Sequence, residues 1–156
     1  MGAHLDTVPF SGIIRVRDLM YSVKDPFRLD QGDVSFDAPD TVKSAMARAL
    51  EANHTHYLPT TGVPKLRELI AEKLRRRNGL PIASPEEIYI TQGGIHAMYV
   101  ACQALLEPGD EVIAPDPTWP PVMSNVLAAH GVPVRVPVHE HLGWRFDLDE
   151  LRRAVS

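Results

Sequence analysis

The chain has 156 residues, a formal net charge of −4 and a pI near 5.9, so it can form one domain but lacks the basic balance of a nucleic-acid-binding protein. Its single cysteine, Cys102, excludes an internal disulfide and is typical of a reducing compartment. The N-terminus lacks a secretion signal, and prolines and a glycine interrupt the uncharged run 117–134, so we expect a cytoplasmic protein without a membrane-spanning helix.

The first half of the chain predicts mainly helices. Residues 1–36 show little sustained periodicity, apart from one short helix expected at "SGIIRVRDLM", and we interpret them as an arm or an irregular lobe. In "DAPDTVKSAMARALEAN" apolar residues recur every three or four positions, which predicts a helix with Asp37 as its N-cap. A second helix is predicted through "PKLRELIAEKLRRRNG", where Asn78 and Gly79 provide the stop signal.

After Pro81 short apolar runs alternate with helical segments. Strands are predicted at "EIYIT", "EVIAP" and "VPVRVPV", and helices at "IHAMYVACQALL", "PVMSNVLAAHG" and "FDLDELRRAV". This alternation predicts an α/β fold with a parallel sheet and right-handed crossovers. Three strands followed by the start of another helix indicate the first part of a larger α/β domain.

Two adjacent glycines, Gly93 and Gly94, follow the predicted strand "EIYIT" and precede a helix. Ligands of parallel sheets bind outside the carboxyl ends of the strands, and glycine lets the backbone approach them closely. The amides of Gly94, Ile95 and His96 would then be donors at a helix N-terminus, where a phosphate fits. The alternative is that the glycines only form a tight turn.

Trp119 follows the second predicted strand, in "DPTWPPV". If that strand neighbours the first one, Trp119 lies at the same sheet edge as the glycines, and its indole can stack on an aromatic ring. A tryptophan after a strand is also commonly a core residue. Taken together, the glycines and Trp119 favour a phosphorylated heteroaromatic ligand.

Five segments, in order and spacing, resemble the class I/II aminotransferases, which are fold-type I enzymes that depend on pyridoxal 5′-phosphate (PLP). They are G-x-x-x-F-D-x-P at 32–39, Y-x-P-x-x-G-x-x-x-L-R at 57–67, T-x-G-G at 91–94, P-G-D-E-V at 108–112 and D-P-T-W at 116–119. The resemblance extends from about residue 11 to the end of the sequence. It implies that Gly93, Gly94 and Ile95 bind the PLP phosphate largely through their backbone, and that Trp119 stacks on the pyridine ring.

The resemblance has further implications for assembly and substrates. Tyr57 matches a tyrosine that reaches the phosphate of the neighbouring subunit, which implies a homodimer. Gly32 matches a loop glycine near the substrate carboxylate, and the implied substrates are an amino acid and a 2-oxo acid. The sequence departs from many relatives at Val34, where they have proline, and at Ile95, where several have a polar side chain. The choice of amino acid, and related lyase or decarboxylase activities on the same fold, stay open.

The lysines Lys24, Lys43, Lys65 and Lys73 all precede the glycine turn, and none lies in the sequence context of the family's Schiff-base lysine. We therefore expect the amino-terminal part of an aminotransferase, which contains no catalytic lysine and cannot transaminate by itself. Residues 1–45 are assigned to an N-terminal arm and the start of the small domain. Residues 46–156 are assigned to the first part of the PLP-binding large domain.

Two other functions remain open at this point. In a Rossmann-like dinucleotide-binding domain the glycines would seat a pyrophosphate and Asp116 would bind a ribose, but the G-x-G-x-x-G spacing is absent. A non-catalytic, dimerising remnant of the aminotransferase fold would explain the missing lysine. Histidine pairs at 54 and 56 and at 139 and 141 have no third ligand nearby in sequence, so no metal site is predicted.

Overall fold

The computed structural model describes residues 3–30, 32 and 34–156. The chain divides into two compact units, of which the first comprises Met1–Gln31 and Gln92–Ser156 and the second comprises Gly32–Thr91. The domain boundary predicted after residue 45 falls inside a helix of the second unit. The assignment of residues 1–45 and 46–156 to two domains of a complete enzyme stays a prediction.

Six α-helices and three strands form the regular structure of the described residues. In chain order the helices are α1 (Gly12–Tyr21), α2 (Asp40–Glu51), α3 (Pro64–Asn78), α4 (Gly94–Leu105), α5 (Pro120–Ala128) and α6 (Leu148–Arg153), and the strands are β1 (Glu111–Asp116), β2 (Val132–His139) and β3 (Arg145–Phe146). All six helices lie in segments where the sequence predicts them. Among the described residues, no helix is both long and apolar enough to cross a membrane.

The sheet of the first unit has the order β1-β2-β3. Strands β1 and β2 pair in parallel, from Glu111 opposite Val132 to Asp116 opposite Pro137, and α5 is the crossover between them. This confirms the predicted α/β arrangement. The two-residue strand β3 pairs antiparallel with β2 and was not anticipated, so the sheet is mixed. A short turn that ends at Gly143, with φ +66, reverses the chain before β3.

The core of the first unit lies between the sheet and α5. Ala114 of β1 and Val136 of β2 are almost fully buried, as are Met123 and Val126 of α5. Helix α5 contacts α4 as well as both parallel strands. Two prolines at the start of α5 favour its initiation, because a residue at the first helical position donates no intrahelical hydrogen bond.

The prediction of a strand at "EIYIT" is wrong. Its backbone is extended, with φ −101 and ψ 124 at Ile88, but the described residues contain no ladder partner for it. Instead the Ile90 N–H donates to the Thr61 carbonyl oxygen at 3.0 Å. An extended segment becomes part of a sheet only when a neighbouring strand satisfies its backbone groups, and sequence periodicity does not reveal that neighbour.

The predicted N-cap at Asp37 is also wrong. Helix α2 begins at Asp40 after Pro39, and no side-chain capping bond is found there within the described part of the chain. Asp37 lies 3.8 Å from Lys43 as an exposed ion pair. Proline pre-sets φ near the value needed at a helix start, so the chain enters α2 without a polar cap. The apolar residues Val42, Met46 and Leu50 of α2 are each more than half exposed.

In the second unit, a guanidinium group holds two loop segments together. The Arg67 Nε donates to the Ile88 carbonyl oxygen at 2.8 Å, and its Nη1 donates to the Thr61 hydroxyl oxygen at 3.2 Å. Near the same segment, Ser84 and Glu87 form a reciprocal capping box around the 3-10 turn Pro85–Glu87. The loop between α2 and α3 is therefore fixed to the chain just before the glycine turn.

Asp147 caps α6 and makes this helix sensitive to acid. Its carboxylate accepts hydrogen bonds from the N–H groups of Asp149 at 2.8 Å and Glu150 at 3.2 Å. These two bonds, with a smaller contribution from the charges of Arg153 and His139, hold the pKa of Asp147 below its ordinary value. Because the pKa of Asp147 is lower in the folded than in the unfolded protein, the capping stabilisation is complete at pH values above the unfolded-state pKa. It is lost as the pH falls through the lower, folded-state pKa.

We therefore expect Asp147→Asn to increase hydrogen exchange of the α6 amides at pH 7, because the charge of the cap is removed. The difference from the unmodified protein should vanish below the lowered pKa, where both caps are neutral. Asp149→Asn is the control, since it removes a charge from the same turn and leaves in place the Asp147 oxygen that accepts both capping bonds. An equal effect of the two substitutions would contradict the capping role.

Candidate functional site

The two glycines lie where the chain enters α4, and the structural reason for a glycine differs between the two positions. Gly93 is the N-cap, with φ +82 and ψ 169, a conformation that residues with side chains rarely adopt. Gly94 is the first residue of the helix. Apart from its chain neighbours and the backbone of its own helix, a Cβ atom built on it meets no described atom within 4 Å. Packing within the described chain therefore does not explain Gly94, which leaves open space beside the first turn.

The first turn of α4 presents backbone donors to that space. The first hydrogen bond at this helix end runs from the Ala97 N–H to the Gly93 carbonyl oxygen at 3.2 Å. The N–H groups of Gly94, Ile95 and His96 precede it, so helix geometry gives them no acceptor within α4. Together with the helix dipole they favour an anion. The predicted helix N-terminus is confirmed, while phosphate binding there stays a prediction.

His96 has a contact that the sequence analysis missed. Its Nδ1 accepts a hydrogen bond from the Gln92 N–H at 3.1 Å, although the residue is exposed. The available signal was position: a side chain at the third residue of a helix can reach back to the residues before it. Histidine is not one of the residue types usually found in that capping pattern, so sequence reasoning did not assign it.

Trp119 lies just beyond β1, as predicted, and is the N-cap of α5. It is 52% exposed, which contradicts the alternative that it is a buried core residue. The segment "EIYIT" does not form a strand beside β1, so it does not bring Trp119 and the glycines to one sheet edge as predicted. Both groups do belong to the first unit, where α4 and α5 contact each other. Stacking by Trp119 stays a prediction.

The other predicted site residues lie in the second unit. Tyr57 is fully exposed, and Gly32 and Val34 are exposed as well. A Cβ on Gly32 would approach no atom of the described chain within 4 Å. The roles assigned to Tyr57 and Gly32 therefore stay predictions, to which the structure adds that both are accessible.

The histidine pair at 139 and 141 and the cysteine Cys102 show no sign of a second reactive site among the described residues. His139 Nε2 lies 2.9 Å from Glu150 Oε2, and its ring is stacked at a tilt near His141, with a centroid distance of 5.3 Å. The described residues contain no cluster of three or more histidine, cysteine or acidic side chains suited to a metal ion. Burial raises the pKa of the Cys102 thiol, which disfavours the reactive thiolate.

The family model for aminotransferase class I and II matches residues 24–156 of the chain. The chain belongs to the class I and II aminotransferases. Its sequence is 43% identical over 142 residues to a probable aspartate/prephenate aminotransferase of Thermus aquaticus, covering 91% of this chain and 37% of the relative. It is 36% identical over its whole length to an aspartate aminotransferase of Pyrococcus abyssi, covering 40% of that protein.

Solved aminotransferases have the same fold. The aspartate aminotransferase of Thermus thermophilus with maleate matches at a TM-score of 0.92 and 38% identity, over all of this chain and 42% of that one. The aspartate aminotransferase of Rhizobium meliloti matches at a TM-score of 0.94 and 29% identity. The chain is therefore part of a fold-type I α/β structure and spans about two fifths of its relatives. These matches do not favour the Rossmann-like alternative.

Class I and II aminotransferases depend on PLP, and the N-terminus of α4 fits the phosphate of this cofactor. The open space at Gly94 and the backbone donors of the first α4 turn suit a phosphate. Half-exposed Trp119 offers an accessible indole face to a ring. At Ile95 the side chain is apolar, so the contact with phosphate would come from the backbone amide.

Proposed function

We propose that this chain forms the cofactor-phosphate part of a PLP-dependent aminotransferase that transfers an amino group between an amino acid and a 2-oxo acid. The observation that carries the proposal is Gly94: its missing side chain leaves space that no described residue fills, beside three backbone donors at a helix N-terminus. Membership of the aminotransferase family identifies PLP as the group suited to that space. The names of both relatives include aspartate, which favours aspartate among the amino donors.

When bound, PLP supplies an electron-accepting ring that makes the α-proton of an amino acid removable. The residues of this chain have binding and orienting roles. The amides of Gly94 and Ile95 hold the phosphate by charge-assisted hydrogen bonds, which fixes one end of the cofactor. Trp119 would pack against one face of the ring and shield that face from water. None of the four lysines of the chain lies in the sequence context of the family's Schiff-base lysine, so we expect residues 1–156 not to transaminate by themselves.

The proposal includes a homodimeric enzyme located in the cytoplasm. Tyr57 is fully exposed, so its hydroxyl is accessible to a second subunit, and we assign it to the phosphate of the neighbouring active site in a homodimer. A complete enzyme that is fully active as a monomer in sedimentation experiments would refute this assignment. A role in amino acid metabolism in the cytoplasm is in keeping with this activity and with the single, half-buried cysteine.

The stacking role of Trp119 gives a direct test in the complete protein. We expect Trp119→Ala to raise the Kd for PLP about tenfold, because an aromatic stacking contact on a flat ring is worth on the order of 1–3 kcal/mol. Trp119→Phe keeps an aromatic face and should lie closer to the unmodified protein. The Kd is measured by equilibrium dialysis, with the absorbance of bound PLP as the readout.

The chain provides a matched control in its other tryptophan. Trp144 is 61% exposed, similar to Trp119, but lies in the turn before β3. Trp144→Ala should leave the Kd for PLP unchanged. If Trp119→Ala binds PLP normally, or if both alanine variants lose the same affinity, Trp119 does not stack on the cofactor.

A further inference from the structure

The hydrogen bond between His96 and Gln92 closes a small ring around the glycine turn. Gln92 directly precedes Gly93, and His96 is the third residue of α4. The bond from the Gln92 N–H to His96 Nδ1, at 3.1 Å, therefore spans Gly93 and Gly94. In a capping box the side chain at the third helical position accepts from the N-cap amide. Here the acceptor reaches one residue further back.

The bond also defines the form of the imidazole. A backbone N–H can only donate, so His96 Nδ1 must present its lone pair, and the neutral ring then carries its proton on Nε2. A doubly protonated ring has no acceptor and cannot make this bond. The geometry thus fits a His96 ring whose Nδ1 accepts a hydrogen bond from the backbone.

The glycine turn benefits from such a restraint. Glycine occupies positive and negative φ with similar ease, so two consecutive glycines give the unliganded turn many conformations. Restricting them before a ligand arrives removes an ordering cost from binding, because donors that already point at the anion need no rearrangement. A bond across the turn, anchored in the first turn of a helix, provides this restriction.

We propose that His96 is a positioning residue for the cofactor phosphate: its Nδ1 holds the Gln92–Gly93 backbone so that the amides of Gly94 and Ile95 are preorganised for the anion. This inference rests on the proposed function, since the anion is taken to be the phosphate of PLP. His96 acts through the backbone, so its effect on affinity depends on an acceptor atom at this position. An imidazole is not required.

The experiment compares three proteins: the unmodified complete protein, His96→Leu, which removes the acceptor at similar size, and His96→Gln, which restores one. Hydrogen exchange reports the Gln92 amide, and equilibrium dialysis gives Kd values for PLP and for inorganic phosphate. We expect His96→Leu to exchange at Gln92 at least tenfold faster and to bind both anions about three- to tenfold more weakly. His96→Gln should recover most of both losses.

Gln103→Leu is the matched control. Gln103 lies on the same helix, and its side-chain amide donates to the Ala128 carbonyl oxygen at 3.2 Å. Its removal takes one hydrogen bond from α4 without touching the glycine turn. Thermal unfolding should therefore shift in Gln103→Leu while the Kd for PLP stays the same.

The outcomes separate the two proposals. Unchanged exchange at Gln92 in His96→Leu, or faster exchange with unchanged Kd for both anions, overturns the positioning role. Failure of His96→Gln to recover affinity overturns it as well. If the unmodified protein binds phosphate in a His96-dependent way but does not bind PLP, the positioning role is supported and the proposed cofactor is wrong.

Discussion

Alanine in place of Gly62 is expected to destabilise the second unit by roughly 2–6 kcal/mol, the largest stability effect we predict for a single methyl group in this chain. Gly62 has φ +105, which strains any residue with a side chain. A Cβ on Gly62 would also overlap the Ile90 side chain, lying 2.6 Å from its Cβ atom. Backbone strain and overpacking each contribute on the order of 1–3 kcal/mol.

The surroundings of Ile90 prevent an easy relaxation. The Ile90 N–H is bonded to the Thr61 carbonyl oxygen, directly before Gly62. Arg67 holds the same two segments through the Thr61 hydroxyl and the Ile88 carbonyl oxygen. A shift of Ile90 away from a new Cβ would stretch these bonds, so the methyl group cannot be accommodated by moving one side chain.

Denaturant unfolding of Gly62→Ala, followed by circular dichroism, measures this effect. Gly79→Ala is the matched control, because Gly79 also has a positive φ, +66, while its Cβ would meet no described atom within 4 Å. It should show the backbone strain alone. The double variant Gly62→Ala/Ile90→Ala shortens the side chain that the new Cβ would overlap. It should recover part of the extra stability that Gly62→Ala loses relative to Gly79→Ala. If Gly62→Ala and Gly79→Ala lose the same stability, the contact with Ile90 carries no cost.

The parts of the fold that depend on local sequence were predictable. Each helix is encoded by its own apolar spacing and by nearby stop signals such as Gly79, and the β1–α5–β2 unit follows from the alternation of elements. Pairing is not local. The segment "EIYIT" has strand-like residues, yet whether it forms a strand depends on which chain segment lies beside it. The short strand β3 likewise forms only because β2 lies beside it.

The candidate site shows the same division. The glycine turn and its helix could be predicted because Gly93, Gly94 and the apolar run after them are consecutive. The half-exposed state of Trp119 could not, since burial depends on the packing of distant residues. The bond from Gln92 to His96 is local, but many polar side chains at that helix position point to solvent. Only the three-dimensional structure shows whether the side chain at this position bonds to the backbone or points to solvent.

Alanine in place of Gly94 is expected to weaken PLP binding by about ten- to a hundredfold while leaving the fold intact. The φ angle of Gly94 is not in the left-handed region, and its Cβ would approach no atom of the described chain within 4 Å, so alanine fits the unliganded protein. Alanine is also a better helix former than glycine by about 1 kcal/mol, which favours unchanged or slightly increased stability.

The loss of affinity follows from the space that the methyl group takes. A phosphate must approach to about 2.8 Å of a backbone nitrogen to form a charge-assisted hydrogen bond, worth roughly 1.5–3 kcal/mol. A Cβ in the open space beside the first α4 turn moves the anion away from at least one such donor, and the loss of that bond corresponds to the predicted change in Kd.

The matched control is Gly12→Ala, because Gly12 also begins a helix, α1, and its Cβ likewise meets nothing within 4 Å among the described residues. Both substitutions add one methyl group at the same helical position of the first unit. Equilibrium dialysis with PLP, paired with denaturant unfolding, should show two equally stable variants of which only Gly94→Ala loses the cofactor. Normal PLP binding by Gly94→Ala would mean that the phosphate is held elsewhere, since an anion seated on these amides cannot share its position with a methyl group.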